Sequence, residues 1–169
     1  STGRELGGGG MFQVGDKVVY PMHGAGIIEA IEEKEVLGEC KRYYVMRLPI
    51  NEMKVMVPCE NMERVGLREV ISEQALQKVL EVLRSRKATT SKNWNHRYRT
   101  NLEKIRSGDI FELAEVVRSL SQRDREKGLS TGERKMLENA RQILLSEIAL
   151  ARGLEGEQAN RFLDQVLAQ

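Results

Sequence analysis

The sequence predicts an α+β chain, with a small β-barrel of SH3 or Tudor type followed by a compact all-α domain of about five helices. Phe12 to Val65 is rich in Val, Ile, Tyr and Gly and breaks into short runs of two-residue periodicity, the mark of strands with one buried face. Beyond Gly66 the apolar spacing changes to a period near 3.6, that of helices buried along one stripe. Charge divides at the same place: Met11 to Val70 holds 8 Lys/Arg against 10 Asp/Glu, whereas Ile71 to Gln169 holds 18 against 14.

Taken in order, the first ten residues, STGRELGGGG, read as a tag-like scar with a flexible glycine linker. Residues 11–67 are assigned to the barrel and 68–169 to the helical domain. Candidate strands are Lys17 to Tyr20, Gly26 to Glu33, Arg42 to Leu48 and Met53 to Pro58. Gly15-Asp16, His23-Gly24-Ala25-Gly26, Leu37-Gly38 and Pro49-Ile50-Asn51 supply turn chemistry between them. In the fourth strand Val55 and Val57 share one face, and Lys54 and Met56 share the other. That strand is either an ordinary exposed barrel edge or an edge that adds to a partner's sheet.

Ser72 is placed to cap a first helix with the stripe Ala75, Leu76, Val79, Leu80 and Leu83, and Lys87 to Ser91 form its exit loop. A second runs from about Asn93 to Ser107, stopped by Gly108, with Trp94, Tyr98, Leu102 and Ile105 along one face. Asp109 caps a third, carrying Ile110, Leu113, Ala114, Val117 and Leu120. Ser130-Thr131-Gly132-Glu133 has capping-box spacing and opens a long fourth, with Met136, Leu137, Ala140, Ile143, Leu144 and Ile148 inward. The last, about Glu157 to Ala168, offers Ala159, Phe162, Leu163 and Val166.

Several function classes fall away. Hydrophobic residues at 40% and charged residues at 31% suit a folded globular chain. No apolar run approaches the roughly 18–20 residues that span a bilayer, and a cytoplasmic location is expected. Cys40 and Cys59 lie far apart without neighbouring ligands at zinc spacing, so no metal and no disulfide is expected. His23 and His96 have no local nucleophile or carboxylate partner, and no phosphate loop or dinucleotide fingerprint occurs. The expectation is a protein without catalytic residues or cofactor.

The informative constellation is Lys92-Asn93-Trp94-Asn95-His96-Arg97-Tyr98-Arg99, which sets the only tryptophan at the first turn of a helix among cations and amides. From Arg84 to Arg106 eight basic residues, Arg86 and Lys87 among them, face one acid, Glu103, the footprint of a phosphate-facing surface. Arginine forks hold phosphates, helix N-terminal amides favour them, and a rigid aromatic can wedge against a base step. Trp94 is equally in register to end a packed seam with Tyr98, Leu102 and Ile105. Its place ahead of that stripe inclines the reading towards exposure.

Phe12-Gln13-Val14-Gly15-Asp16-Lys17-Val18-Val19-Tyr20-Pro21 with His23-Gly24, Val65-Gly66-Leu67-Arg68, Asn93-Trp94 to Arg99 with Asn101-Leu102-Glu103-Lys104, and Gly128-Leu129-Ser130 to Met136-Leu137 together resemble the CarD/CdnL family of bacterial RNA polymerase-binding regulators. The resemblance runs in order from Phe12 nearly to the C-terminus. It implies that the β module is an RNA polymerase interaction domain, related to that of transcription-repair coupling factor, which docks on the polymerase β subunit by strand pairing. It also implies a helical domain at the upstream edge of the opening promoter bubble, where the family tryptophan, Trp94 here, wedges into the minor groove and stabilises the open complex. Lys92, Asn93, His96, Arg97, Arg99, Arg86 and Lys87 are the accompanying DNA-side candidates, with His96 standing where an arginine is common. On the polymerase side the candidates are Met53, Lys54, Val55, Met56, Val57 and Pro58, with Lys34 at an often basic position and Met56 where some members carry arginine. The partners implied are the polymerase β subunit and promoter DNA, contacted largely independently of sequence, with a location on the nucleoid through polymerase. From the residues themselves, a free-standing architectural DNA-binding protein and a protein-only adaptor stay open. A Tudor-type reader would need an aromatic cage, for which Tyr20, Tyr43 and Tyr44 are the candidates.

Overall fold

In the computed structural model, residues 12–49, 52–61, 66–86 and 92–168 are described. The tag-like start, Ile50 and Asn51 of one expected turn, Val65, and Lys87 with the remainder of the expected exit loop lie outside the described residues. The strands are β1 (Lys17–Tyr20), β2 (Gly24–Val36), β3 (Glu39–Leu48), β4 (Met53–Pro58) and β5 (Arg68–Glu69), with a 3-10 turn at Cys59–Asn61. They form one antiparallel sheet in the order β4-β3-β2-β1-β5.

Among the described residues the expected barrel is not closed: β4 and β5 are the two edges of an open, five-stranded sheet. Closure needs those two strands to share a ladder, but β5 contributes only Arg68 and Glu69, both spent on β1. A bulge between Ile28 and Ala30 leaves Glu29 without a β3 counterpart and bends β2 where it passes from β1 to β3. The apolar side encloses Phe12, Val18, Ile28, Tyr44, Met46, Leu48, Val57 and Leu67. There the Phe12 N–H donates to the Tyr44 hydroxyl at 2.9 Å, which satisfies both groups inside the core. Burial pushes the Tyr44 phenol up and does the same to the neighbouring Cys59 thiol, so thiolate chemistry at Cys59 is disfavoured.

Gly24 and Ala25, expected in a turn, lie instead in β2 ahead of Gly26, the expected first residue of that strand; the turn is Pro21-Met22-His23, with Met22 at φ 75°. The glycines permit close packing. A Cβ on Gly24 would stand 2.8 Å from Ser146 Oγ, and one on Gly26 2.5 Å from the Arg47 carbonyl.

The helices are α1 (Glu73–Arg84), α2 (Trp94–Arg106), α3 (Ile110–Glu126), α4 (Thr131–Arg152) and α5 (Gly156–Leu167). Each begins where a side chain satisfies an orphan N–H. Ser72 accepts from Ala75, Asn93 from His96, Asp109 from Phe111 and Ser130 from Glu133, and Glu155 closes a capping box with Gln158. Such caps contribute about 1 kcal/mol each. Their inward stripes form a second core around Leu76, Leu80, Leu120, Leu144, Ile148 and Leu163, where each buried Leu or Ile contributes about 1.5–3 kcal/mol.

The two cores meet where α4 packs on β2, and polar groups fasten the contact. The Ala25 N–H donates to Ser146 Oγ at 2.7 Å. Glu147 takes both guanidinium arms of Arg68, at 2.7 and 2.8 Å, and also the Ile71 N–H at 2.9 Å. None of the described helices is long and apolar enough to cross a membrane.

Candidate nucleic-acid interface

The aromatic constellation forms where the N-termini of α2 and α4 converge. Trp94 is the first residue of α2, set there by the Asn93 cap, and its ring stacks on Tyr98 one turn later at 4.8 Å and 18°. Its indole N–H donates to Ser130 Oγ, the N-cap of α4, at 3.1 Å. Gly132 lies beside both rings, where a Cβ would sit in ordinary van der Waals contact with Tyr98 and Trp94, at 3.6 and 3.7 Å. Held on two sides, Trp94 is still 41% exposed. It is neither a core residue nor a loose one.

Around it, Lys92, Asn93, Asn95, His96 and Arg99 are exposed. Each helix N-terminus adds about half a positive charge, and the two converge beside Trp94. The surface thus presents a fixed aromatic plane flanked by cations and two positive dipole ends, chemistry suited to phosphate and a base step together.

Arg97 does not belong to that surface. It is 4% exposed, and its Nε and Nη2 donate to the two Glu133 carboxylate oxygens at 2.7 and 3.2 Å. The fully buried stripe of α2 is Arg97, Asn101 and Ile105; of the expected face, Ile105 is buried and Tyr98 and Leu102 pack half-buried against the same core, while Trp94 at its end faces outward. The expected phosphate contact at Arg97 is corrected accordingly: a guanidinium closed by a carboxylate and screened from water positions α2 against α4. Burial by itself would raise the Glu133 pKa, but the hydrogen bonds and charge of Arg97, helped by Arg123 and Ser130, hold it below the usual carboxylate range.

Sequence reasoning marked Ser130 and Glu133 only as helix caps. Ser130 also anchors the indole, and Glu133 anchors Arg97. Both partners lie 36 residues away, and no short-range pattern encodes them. Arg86 is exposed past the end of α1 and lines a cavity with Arg84, Arg118 and Arg125 rather than the Trp94 cluster. Lys87 lies outside the described residues.

The polymerase-side candidates gather on one sheet edge. β4 pairs with β3 from Met53↔Leu48 to Pro58↔Tyr43 and ends the strand order. Val57 is buried and Val55 half-buried, while Met53, Lys54 and Met56 are exposed. Lys54 reaches Glu29 at 3.2 Å, and Lys34 stands exposed on the outer part of β2. Among the described residues no group of His, Cys, Asp and Glu has the arrangement to hold a metal ion.

Residues 12–71 match the CarD-like/TRCF RID domain, and residues 78–164 match the CarD C-terminal domain. The chain is 44% identical over 152 residues to "Putative transcription factor YdeB" of Bacillus subtilis (strain 168), a match spanning 90% of this chain and 99% of that protein. It is also similar to the solution NMR structure of the 72-residue N-terminal domain of Myxococcus xanthus CarD, with 35% identity, covering 41% of this chain and 84% of that one at a TM-score of 0.33. Both domains of one architecture occur here in order, and a full-length relative aligns almost end to end. The chain therefore belongs to the CarD/CdnL family of transcription regulators.

Proposed function

We propose that the protein anchors to the β subunit of RNA polymerase through β4 and stabilises the open promoter by inserting Trp94 into the minor groove at the upstream edge of the bubble. The observation that carries this reading is the fixed, outward Trp94. Stacking on Tyr98 and the bond to Ser130 order its side chain before DNA arrives, so little rotamer entropy is left to lose. A wedge costs a few kcal/mol of unstacking, recovered through contact with the bent duplex. Lys92 and Arg99 supply the phosphate contacts, with His96 and Asn93 beside them.

In this division residues 11–67 serve as the anchor and 68–169 as the DNA-contacting unit. The open edge of β4 offers backbone groups for strand addition, and exposed Met53 and Met56 add apolar contact. Two weak contacts on one chain suffice, because polymerase binding raises the local concentration of the helical unit at the promoter. Free protein then binds duplex weakly, with strong salt dependence and little sequence preference. It acts in the cytoplasm, on the nucleoid.

The test is the lifetime of a polymerase open complex on a ribosomal-type promoter after heparin challenge, with wild type, Trp94→Ala and no protein. Wild type lengthens the lifetime, by about tenfold for each 1.4 kcal/mol of stabilisation, and Trp94→Ala loses most of that effect while still binding polymerase. Equal lifetimes with wild type and variant would sink the wedge.

A further inference from the structure

Past the body of the sheet, β2 and β3 continue as a two-stranded arm. β1 pairs with β2 only as far as Ile27, and β4 pairs with β3 only back to Tyr43. Residues 39–42 of β3 and their partners on β2 therefore have no further strand on either side among the described residues, an overhang of about 14 Å at the rise of an antiparallel strand. From Glu32 to Cys40 every residue is exposed.

A ribbon with two free edges invites unwanted pairing, and charged side chains are the usual protection. Glu33, Lys34, Glu35, Lys41 and Arg42 supply it along the shaft. The tip breaks that pattern, with Val36 39% and Leu37 100% exposed. Leu37 also holds the left-handed conformation, at φ 52°, which disfavours any side chain with a Cβ. A single exposed leucine on an ordinary surface needs no explanation. One held in a strained turn at the end of a charged arm, with Val36 beside it, points to a contact outside the chain.

The register shows what that contact adjoins. Cross-strand partners share a side of the sheet, and the ladder Val36↔Glu39, Lys34↔Lys41, Glu32↔Tyr43 continues through Tyr43↔Pro58 and Val45↔Met56. Val36 thus lies on the face to which Pro58 and the exposed Met56 belong on β4. The base of the arm is tied to the end of β4 by Glu60, whose carboxylate meets Lys41 Nζ at 3.3 Å.

We infer that the tip, Leu37 with Val36, is a second foothold on the RNA polymerase surface that pairs with β4, with Leu37 entering an apolar depression there. The inference rests on the reading of β4 as the polymerase-binding edge. A strand added to β4 stands two strand spacings from β3, about 10 Å, and the tip lies about 14 Å further along. Both fit within one interface of standard size, about 800 Å² per partner. A second copy of this chain is the other occupant an apolar tip could meet; the face shared with β4 and the tie through Lys41 favour polymerase.

The test titrates purified RNA polymerase into the fluorescently labelled full chain, as wild type, Leu37→Asn, Leu37→Met and Met56→Glu. Leu37→Asn is expected to weaken binding about tenfold, as befits loss of one buried apolar side chain, while its urea midpoint is no lower than that of wild type. Leu37→Met, which keeps the apolar volume, should retain most of the affinity. Weaker binding by a chain that is no less stable marks a contact made only in the complex. Unchanged affinity in Leu37→Asn overturns the tip contact. If Met56→Glu weakens binding in that case, the β4 anchor stands and the tip alone is at fault; if neither variant weakens it, the anchor falls too. Weakening by Leu37→Asn without any by Met56→Glu overturns the surface shared with β4. A dimer in sedimentation that Leu37→Asn dissociates, with polymerase affinity intact, would make a second copy the occupant and overturn the inference.

Discussion

Arg97 and Glu133 form an ion pair taken almost wholly out of water, with side chains 3% and 2% exposed. Desolvating two ions costs several kcal/mol each, so the pair stabilises the fold only while both members are present. Arg97→Ala strands a buried carboxylate and should destabilise the helical core by about 3–5 kcal/mol. The double variant Arg97→Met with Glu133→Leu should recover most of that, as urea unfolding would register. Because the folded pKa of Glu133 is depressed, its stabilisation is complete above the unfolded carboxyl value, near 4.3, and disappears as pH falls through the lower folded value. The urea midpoint should drop on acidification below about pH 4, and Glu133→Gln should flatten that dependence. An arginine in a basic run next to a tryptophan reads as a DNA contact. Only the side of α2 on which it lies makes it structural, and a polar residue in the buried stripe carries no apolar signal to reveal this.

At the scale of elements, local chemistry was readable and solvent-exposed geometry was not. The caps Ser72, Asn93, Asp109 and Ser130 act within three residues of themselves, so four of the five helices described start beside a residue type that favours an N-terminus, whereas Glu155 before the fifth is not such a type. Strands β2 and β3 run beyond their expected ends because their outer halves, Glu32–Val36 and Glu39–Cys40, are exposed on both faces and show no alternation to count. Their hairpin turns through Leu37 and Gly38, at φ 52° and 80°, a geometry that suits Asn-Gly and strains leucine. Leu37 is wholly exposed, so it gains nothing from packing in return. Leu37→Asn should stabilise the hairpin by about 0.5–1 kcal/mol, measurable as a raised urea midpoint; a lowered midpoint would show that Leu37 makes up its strain by other means. The expected barrel failed at the same scale, since two residues of β5 are too few to meet β4.

For the whole molecule, the decisive feature is that sheet and helices are fastened together. Glu147 is 2% exposed and accepts three hydrogen bonds from the sheet side of the junction. Glu147→Gln keeps the shape but gives up the charge and one acceptor, and should cost about 1–3 kcal/mol. If the junction sets the distance from the β4 edge to Trp94, this variant should also shorten open-complex lifetime while polymerase binding is unchanged. A lifetime equal to wild type would show that the two halves need no fixed register.

The sequence by itself determined the α+β class, the four longer strands and five helices in their order, the caps Ser72, Asp109 and Ser130, and the family, but not the short β5, because periodicity, turn chemistry and capping operate over a few neighbouring residues. Tertiary structure decided the rest: that the sheet stays open, that Arg97 turns inward and Trp94 outward, that Glu147 joins the two cores, and that four arginines share one cavity. The inward turn of Arg97 and the junction at Glu147 rest on ion pairs between residues 36 and 79 positions apart, contacts that no pattern of neighbouring residues encodes.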